Sequence, residues 1–446
     1  MKHKRSKYNI LIAELPDNSL LVYNTYSGLF GKMDEQTRAI YENIEEIDID
    51  LLEGEPKKNA DIMLHAGYIV DNELDEVSLV LLQRNIARHN TDALGFTIAP
   101  TVDCNMCCHY CYEKKHANYM SEKTQRDVVS FITAHFDAFP NAKALSITWY
   151  GGEPLLHKEA IYYISEKLIA ICSERNITYN AIMITNGTLL DKETSYKLSA
   201  DCKVSMAQVT VDGLGEYHNR KRILKSGKDS YSIIMRNLEA AKEYLNIAVR
   251  VNVDRQNAHQ LEEFARVFFF EYGWKDNPRL YYAPVENYEN SCITDETCLQ
   301  LPEFAKLNAE MTRVLYSLNS EATRRDLYPR RHTVHCAAER SYGYVIDPEG
   351  DLYKCWLDVG DKSFKCGNIH KPFLVTEEYA RWVLSVIPEK CHECEYLPIC
   401  CGGCAMHRVR NGVEPHCSHT LYSYKEKLKL AYEDYVTQKT LIEHDS

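Results

Sequence analysis

Apolar positions recur along the chain with two different periods. Asn9–Ala13 and Ser19–Asn24 alternate apolar and polar residues on either side of Pro16-Asp17-Asn18, which predicts a β-hairpin. Helical spacing follows over Asp34–Ile44, with Asp34 as its cap, and over Lys58–Ala66. A short strand is predicted around Gly67–Val70, then a charged helix over Ser78–Asn90. From about residue 93 the rhythm changes to strand–helix alternation. Strands are predicted at Gly95–Ala99, Ala144–Tyr150, Ala181–Thr185, Gln208–Val211, Ala248–Val253 and Leu280–Pro284. Helices are predicted at Ser121–Phe139, Lys158–Arg175, Lys192–Ser199, Ser232–Leu245, Ala258–Tyr272 and Leu301–Ser317. Six such units predict an α/β fold, a parallel sheet curved into a partial (β/α)6 barrel whose ligands sit at the C-terminal strand ends. Between about 330 and 425 the rhythm is lost to cysteine, glycine and short turns, a segment expected to fold around metal. A Tyr-rich helix over Leu421–Thr437 closes the chain.

Three domains are therefore expected: 1–90, 91–325 and 326–446. The formal charge of −12 argues against a nucleic-acid partner, and Lys2-His3-Lys4-Arg5 is too short to reverse that. There is no apolar run of transmembrane length and no secretory signal pattern, so a cytoplasmic protein without a membrane partner is expected. In that compartment 17 cysteines are not a disulfide framework. Their short spacings point to metal ligation.

The first group lies on the loop after the first barrel strand, Asp103-Cys104-Asn105-Met106-Cys107-Cys108-His109-Tyr110-Cys111. Cys104, Cys108 and Cys111 form C-x3-C-x2-C. Three thiolates can hold three irons of a cubane cluster and leave the fourth iron open. A zinc site is the alternative, with Cys107 or His109 as fourth ligand. One βα unit later, Trp149-Tyr150-Gly151-Gly152-Glu153-Pro154 closes the second strand. Its glycines admit a close approach to the backbone, and Glu153 or nearby carbonyls can accept from an ammonium group. Together the two segments resemble the radical S-adenosylmethionine (SAM) superfamily. The resemblance implies that SAM chelates the open iron and is cleaved to a radical that abstracts hydrogen. Tyr110 would lie near the adenine, and Gly151, Gly152, Glu153 and Pro154 would bind the SAM amine. Among the polar strand ends, Asn186, Thr210 and Asn252 would contact ribose or carboxylate. Asp212 and Asp254 also lie at strand ends, where turn or cap roles compete.

The second group reads Cys336-x13-Gly350-x4-Cys355, then Cys391-x2-Cys394-x5-Cys400-x3-Cys404, then Cys417. This spacing resembles the SPASM domain, which implies two auxiliary [4Fe–4S] clusters, and so three in all. By the family pattern Cys391, Cys394, Cys400 and Cys417 hold the distal cluster, and Cys336, Cys355 and Cys404 the nearer one. Seven thiolates leave one iron open unless Cys366 or Cys401 closes it. Zinc knuckles are the competing reading. Cys172, Cys202, Cys292 and Cys298 are expected to be bystanders.

SPASM-bearing members of the superfamily commonly modify peptides or proteins. The 1–90 segment resembles, loosely, a winged-helix-like leader-peptide module that takes a strand at a sheet edge; a plain structural extension is the other reading. The resemblance thus implies a maturase of a ribosomally made precursor peptide, with a leader and a Cys-containing core, that forms a cysteine thioether. Electrons would come from an external donor such as flavodoxin or ferredoxin. Formylglycine generation on sulfatases, carbon–carbon crosslinking and a non-catalytic iron–sulfur redox relay remain alternatives. Asp254 and Glu286 are possible bases without an assigned role.

Overall fold

The structure, a computed structural model, describes residues 2–288, 291, 293–371, 374–412 and 414–444. Cys292 lies outside them. The chain forms two compact units, each discontinuous in sequence. One comprises Met1–Arg88, Thr323–Cys336 and Ser385–Ser446, the other His89–Ala322 and Ala337–Leu384.

The second unit is built on a nine-stranded sheet. Its strands are β1 (Ala93–Ile98), β2 (Ala144–Trp149), β3 (Thr178–Thr185), β4 (Val204–Thr210), β5 (Asn246–Val253), β6 (Arg279–Pro284), β7 (Tyr344–Ile346), β8 (Asp351–Tyr353) and β9 (Gly367–Asn368). They run in the order β6-β5-β4-β3-β2-β1-β7-β8-β9. β1 to β6 are parallel throughout, as the alternation predicts. Alternate strand residues, among them Phe96, Ile147, Met183, Val209 and Val249, are buried against the crossover helices. Each such side chain contributes about 1.5–3 kcal/mol on burial. The helices start where capping residues allow: Ser121, Asp191 and Asp229 each accept a backbone N–H of the first turn. The helix expected over Ala258–Tyr272 is broken into a 3-10 turn, a short α-helix (Leu261–Arg266) and a π turn (Val267–Glu271) that seats Phe268 and Phe269 in the core.

The cysteine-rich segment departs from expectation. β7 pairs in parallel with β1, through Tyr344↔Phe96 and Ile346↔Ile98. Ile346, Leu352 and Cys366 thereby join the barrel core. This part of the segment folds on apolar packing as well as on its cysteines.

In the first unit, strands Asn9–Glu14, Leu20–Asn24 and Phe30–Met33 form an antiparallel sheet, with the predicted hairpin in register Asn9↔Asn24. Asp34 caps the helix Glu35–Glu42 by accepting from the Thr37 N–H. Ile10, Ile12, Leu21 and Tyr23 pack against Leu428 of the C-terminal helix Thr420–His444. Tyr8 and Val80 pack against Ile387, Cys391 and Leu397. No helix among the described residues is long and apolar enough to cross a membrane.

Candidate functional site

The cysteine loop leaves the end of β1 and is braced by a two-stranded ribbon. Met106–Cys108 pairs antiparallel with Arg222–Leu224, with Cys108 opposite Arg222. Cys104 is buried, Cys108 and Cys111 are half-buried, and Cys107 faces solvent. Burial pushes the Cys104 thiol up to about 12 and the Cys111 thiol upward, while Lys115 pulls against both shifts. Such thiols give up their protons on binding metal. A tetrahedral zinc ion with bonds near 2.3 Å would draw its sulfurs to about 3.8 Å from one another.

The Gly151-Gly152 turn lies directly on this loop. A Cβ at Gly151, where φ is +125°, would stand 2.2 Å from the Thr101 carbonyl oxygen, and one at Gly152 would stand 2.2 Å from that of Asp103. The glycines thus bring β2's turn against the cysteine loop. Pro154 opens the 3-10 turn that follows. Glu153 is fully buried, and its carboxylate accepts from the Leu155 N–H at 3.0 Å, the Thr185 hydroxyl at 2.7 Å and the Asn186 N–H at 2.7 Å. Burial raises its pKa, against the pull of these donors. Three of a carboxylate's roughly four acceptor positions are therefore used inside the protein.

Asn186, at the end of β3, ties the same elements together. Its amide donates to Asn105 Oδ1 at 2.7 Å and points at Cys104 Sγ at 3.8 Å, and its own oxygen accepts from Thr188. Thr210 ends β4, half-buried. Asn252, near the end of β5, donates its backbone N–H to Asp212 Oδ1 at 2.9 Å and its amide to the Tyr110 hydroxyl at 3.1 Å. That hydroxyl donates to Asp212 Oδ2 and accepts from Arg222 at 2.6 Å. Tyr110, Asp212, Arg222 and Asn252 thus form one buried polar knot under the cysteine loop. The sequence reading missed Arg222 because it sits in Lys221-Arg222, which reads as the charged end of a helix. Its pairing with Cys108 is a long-range contact without a local pattern. Asp254 is engaged by Lys221 at 2.6 Å and is turned into the fold.

Cys391, Cys394, Cys400 and Cys417 lie together in the first unit. Burial raises the Cys391 thiol to about 11, with Cys400, Cys394 and Cys417 each adding to the rise. Gly403 makes this possible: a Cβ there would stand 1.9 Å from the His416 carbonyl oxygen. Arg408 donates to the Gly402 and Gly403 carbonyls at 2.9 and 2.6 Å. Cys336 and Cys404 belong to the same unit, and Cys404 precedes the helix Ala405–Asn411. Cys355 belongs to the other unit and precedes the 3-10 turn Trp356–Asp358. Cys366 is fully buried and donates its thiol to the Leu352 carbonyl at 3.1 Å; Cys401 donates to the His332 carbonyl at 3.0 Å.

The parallel sheet thus carries three cysteines on the loop after its first strand, with a glycine-bearing turn pressed against that loop. Residues 98–268 match the sequence profile of the Radical SAM superfamily, so the chain carries a radical SAM domain. The serine-type anaerobic sulfatase-maturating enzyme of Bacteroides thetaiotaomicron is 23% identical over 341 residues, covering 68% of this chain and 80% of that protein. The solved structure of native anSMEcpe with bound AdoMet has the same fold at a TM-score of 0.58 and 22% identity, covering 78% of this chain and all of that one. Streptococcus suis SuiB covers more of this chain, 93%, and 99% of its own, at a TM-score of 0.51 and 16% identity.

Proposed function

We propose that this protein is a radical SAM maturase of a peptide or protein substrate, and that its product is a cysteine thioether within a ribosomally made precursor. The observation that carries the reading is the Gly151-Gly152 turn packed onto the Cys104–Cys111 loop. A cluster held on that loop would then lie beside backbone acceptors for SAM at the C-terminal ends of β1 and β2.

Cys104, Cys108 and Cys111 would hold the first cluster; Cys391, Cys394, Cys400 and Cys417 a second; Cys336, Cys355 and Cys404 a third. When bound, SAM and its cluster supply a carbon radical that removes a hydrogen atom from the substrate. The turn around Gly151, Gly152 and Pro154 would hold the SAM amine, while Glu153 ties the turn to β3. Tyr110, Asn186, Thr210 and Asn252 line the remaining contacts. The substrate carbon radical would join a peptide sulfur with loss of the thiol proton, and clusters held by the auxiliary cysteines would take up the one surplus electron. A flavodoxin or ferredoxin supplies the first electron. The sheet of residues 9–33 would take the leader as an added strand.

Formylglycine generation is the second reading, favoured by the sulfatase-maturating relative. Anaerobic reconstitution followed by iron counting, SAM, reductant and a leader-bearing Cys-rich peptide tests both. Deoxyadenosine, about twelve irons and a cysteine protected from alkylation support the thioether product. Aldehyde formation on a leaderless Cys or Ser peptide supports the second reading. Full iron without SAM cleavage under any reductant leaves only a redox relay.

A further inference from the structure

Three aromatic side chains of the sheet-bearing unit connect two of the cysteines assigned above to iron. Tyr112 follows Cys111 and Trp356 follows Cys355. Tyr150, the residue before the glycine pair, stands between them. The Tyr112 and Tyr150 hydroxyls are 2.6 Å apart. The Tyr150 ring is stacked on the Trp356 indole, with centroids 4.7 Å apart and planes 28° from parallel. The indole N–H donates to Thr97 Oγ1 of β1 at 3.1 Å, so this ring is tethered to the barrel. Ala99, Val102, Val345, Tyr353 and Val359 are among the residues that pack in one apolar cluster with Tyr150 and Trp356.

We infer that Trp356, Tyr150 and Tyr112 form the path by which one electron moves between the iron held at Cys355 and the iron held at Cys111. Tunnelling through protein weakens sharply at each through-space gap. Here covalent bonds lead from each cysteine to its neighbouring ring, and only one hydrogen bond and one ring stack remain to be crossed. Packing alone explains an apolar stack. It does not by itself call for two phenol oxygens in contact, one on the residue after Cys111 and the other on the ring stacked against the residue after Cys355, with the indole fixed by its own hydrogen bond. The step is a plain electron transfer: the iron at Cys355 is oxidised by one electron and that at Cys111 reduced by one. No bond forms or breaks in the rings and no further oxidant is consumed. The surplus electron of one turnover thereby serves the next.

The inference rests on the iron assignments under Proposed function, and the experiment separates the two. Reconstituted holoenzyme and the variants Trp356→Leu, Trp356→Phe and Tyr150→Phe are compared. Iron content, cluster EPR signals and midpoint potentials are measured first. Freeze-quench EPR then follows electron redistribution between the clusters after a pulse of photoreductant. In Trp356→Leu the redistribution rate should fall by about tenfold or more, with potentials unchanged, and Trp356→Phe should restore most of it. Tyr150→Phe, which keeps the stack and removes the hydroxyl bridge, should also slow transfer. Wild-type rates in Trp356→Leu with intact clusters overturn the path. If Trp356→Leu loses iron, Tyr150→Phe decides: slower transfer supports the path and an unchanged rate ends it. A wild-type enzyme without SAM cleavage, or a Cys355→Ala variant with full iron, instead removes the assignments beneath both readings.

Discussion

Tyr110 serves three polar neighbours with a single oxygen: it donates to Asp212 and accepts from Arg222 and Asn252. Tyr110→Phe keeps the ring and leaves Asp212 Oδ2 without that donor. An unsatisfied buried partner costs about 1–3 kcal/mol, so the unfolding free energy from anaerobic urea titration of the reconstituted enzyme should fall by that amount and the midpoint should move to lower urea. Glu153 presents the opposite case, an acceptor surrounded by donors. In Glu153→Gln the new amide must face the Thr185 hydroxyl or the N–H of Asn186 or Leu155. Losing charge-assisted bonds costs about 2 kcal/mol and loosens the turn on the cysteine loop. The expected result is a lower unfolding midpoint together with weaker SAM binding by equilibrium dialysis. Unchanged SAM affinity would mean that the turn holds its shape without the carboxylate.

Among the elements, the short hairpin β7–β8 shows how local chemistry and long-range pairing combine. Asp347 organises its turn, accepting from the Glu349 and Asp351 N–H groups at 2.9 and 2.8 Å. Gly350 closes the turn at φ +76°. Burial lifts the Asp347 pKa from 3.8 to about 6. A raised folded-state pKa means that its stabilisation is full below the unfolded value near 4 and is lost as pH climbs through about 6. The loss is at most about 3 kcal/mol. Protection of the hairpin amides, relative to their intrinsic exchange at each pH, should therefore fall between pH 4 and pH 7, and Asp347→Asn should flatten that fall. The sequence showed the barrel strands, their helices and the N-terminal hairpin, because each carries its own period. It also showed the cysteine spacings and the Gly-Gly-Glu-Pro turn, because ligand sets from one loop are local patterns. Tyr344–Ile346 pairing with Phe96–Ile98 was not legible: three residues are too few for a period, and the partner lies far away in sequence. Arg222 opposite Cys108 was missed for the same reason. The π turn at Val267–Glu271 was hidden because an unbroken helical pattern does not reveal one extra residue per turn.

At the scale of the molecule, the N-terminal strands are part of the core of their compact unit. Within their own compact unit, Tyr8 and Val80 share a core with Ile387, Cys391 and Leu397, and Ile10, Leu21 and Tyr23 share one with Leu428. The Thr25 hydroxyl donates to the Glu395 carbonyl at 2.5 Å, beside Cys394, and the Tyr23 hydroxyl donates to the Pro329 carbonyl at 3.0 Å. A leader-binding module that merely hung on the enzyme could be removed at the cost of peptide affinity alone. Here deletion of residues 1–88 strips apolar cover from the segment that bears Cys391, Cys394, Cys400 and Cys417. The truncated protein, reconstituted beside the full chain, should bind about four fewer irons, one cubane's worth. Limited proteolysis should cut it between residues 385 and 420. The radical SAM domain, whose core lies in the other unit, should keep its own cluster and still cleave SAM without coupling to a peptide. Full iron and an uncut C-terminal segment after the deletion would show that the four cysteines hold their fold without the strands. The N-terminal residues would then act on the peptide alone.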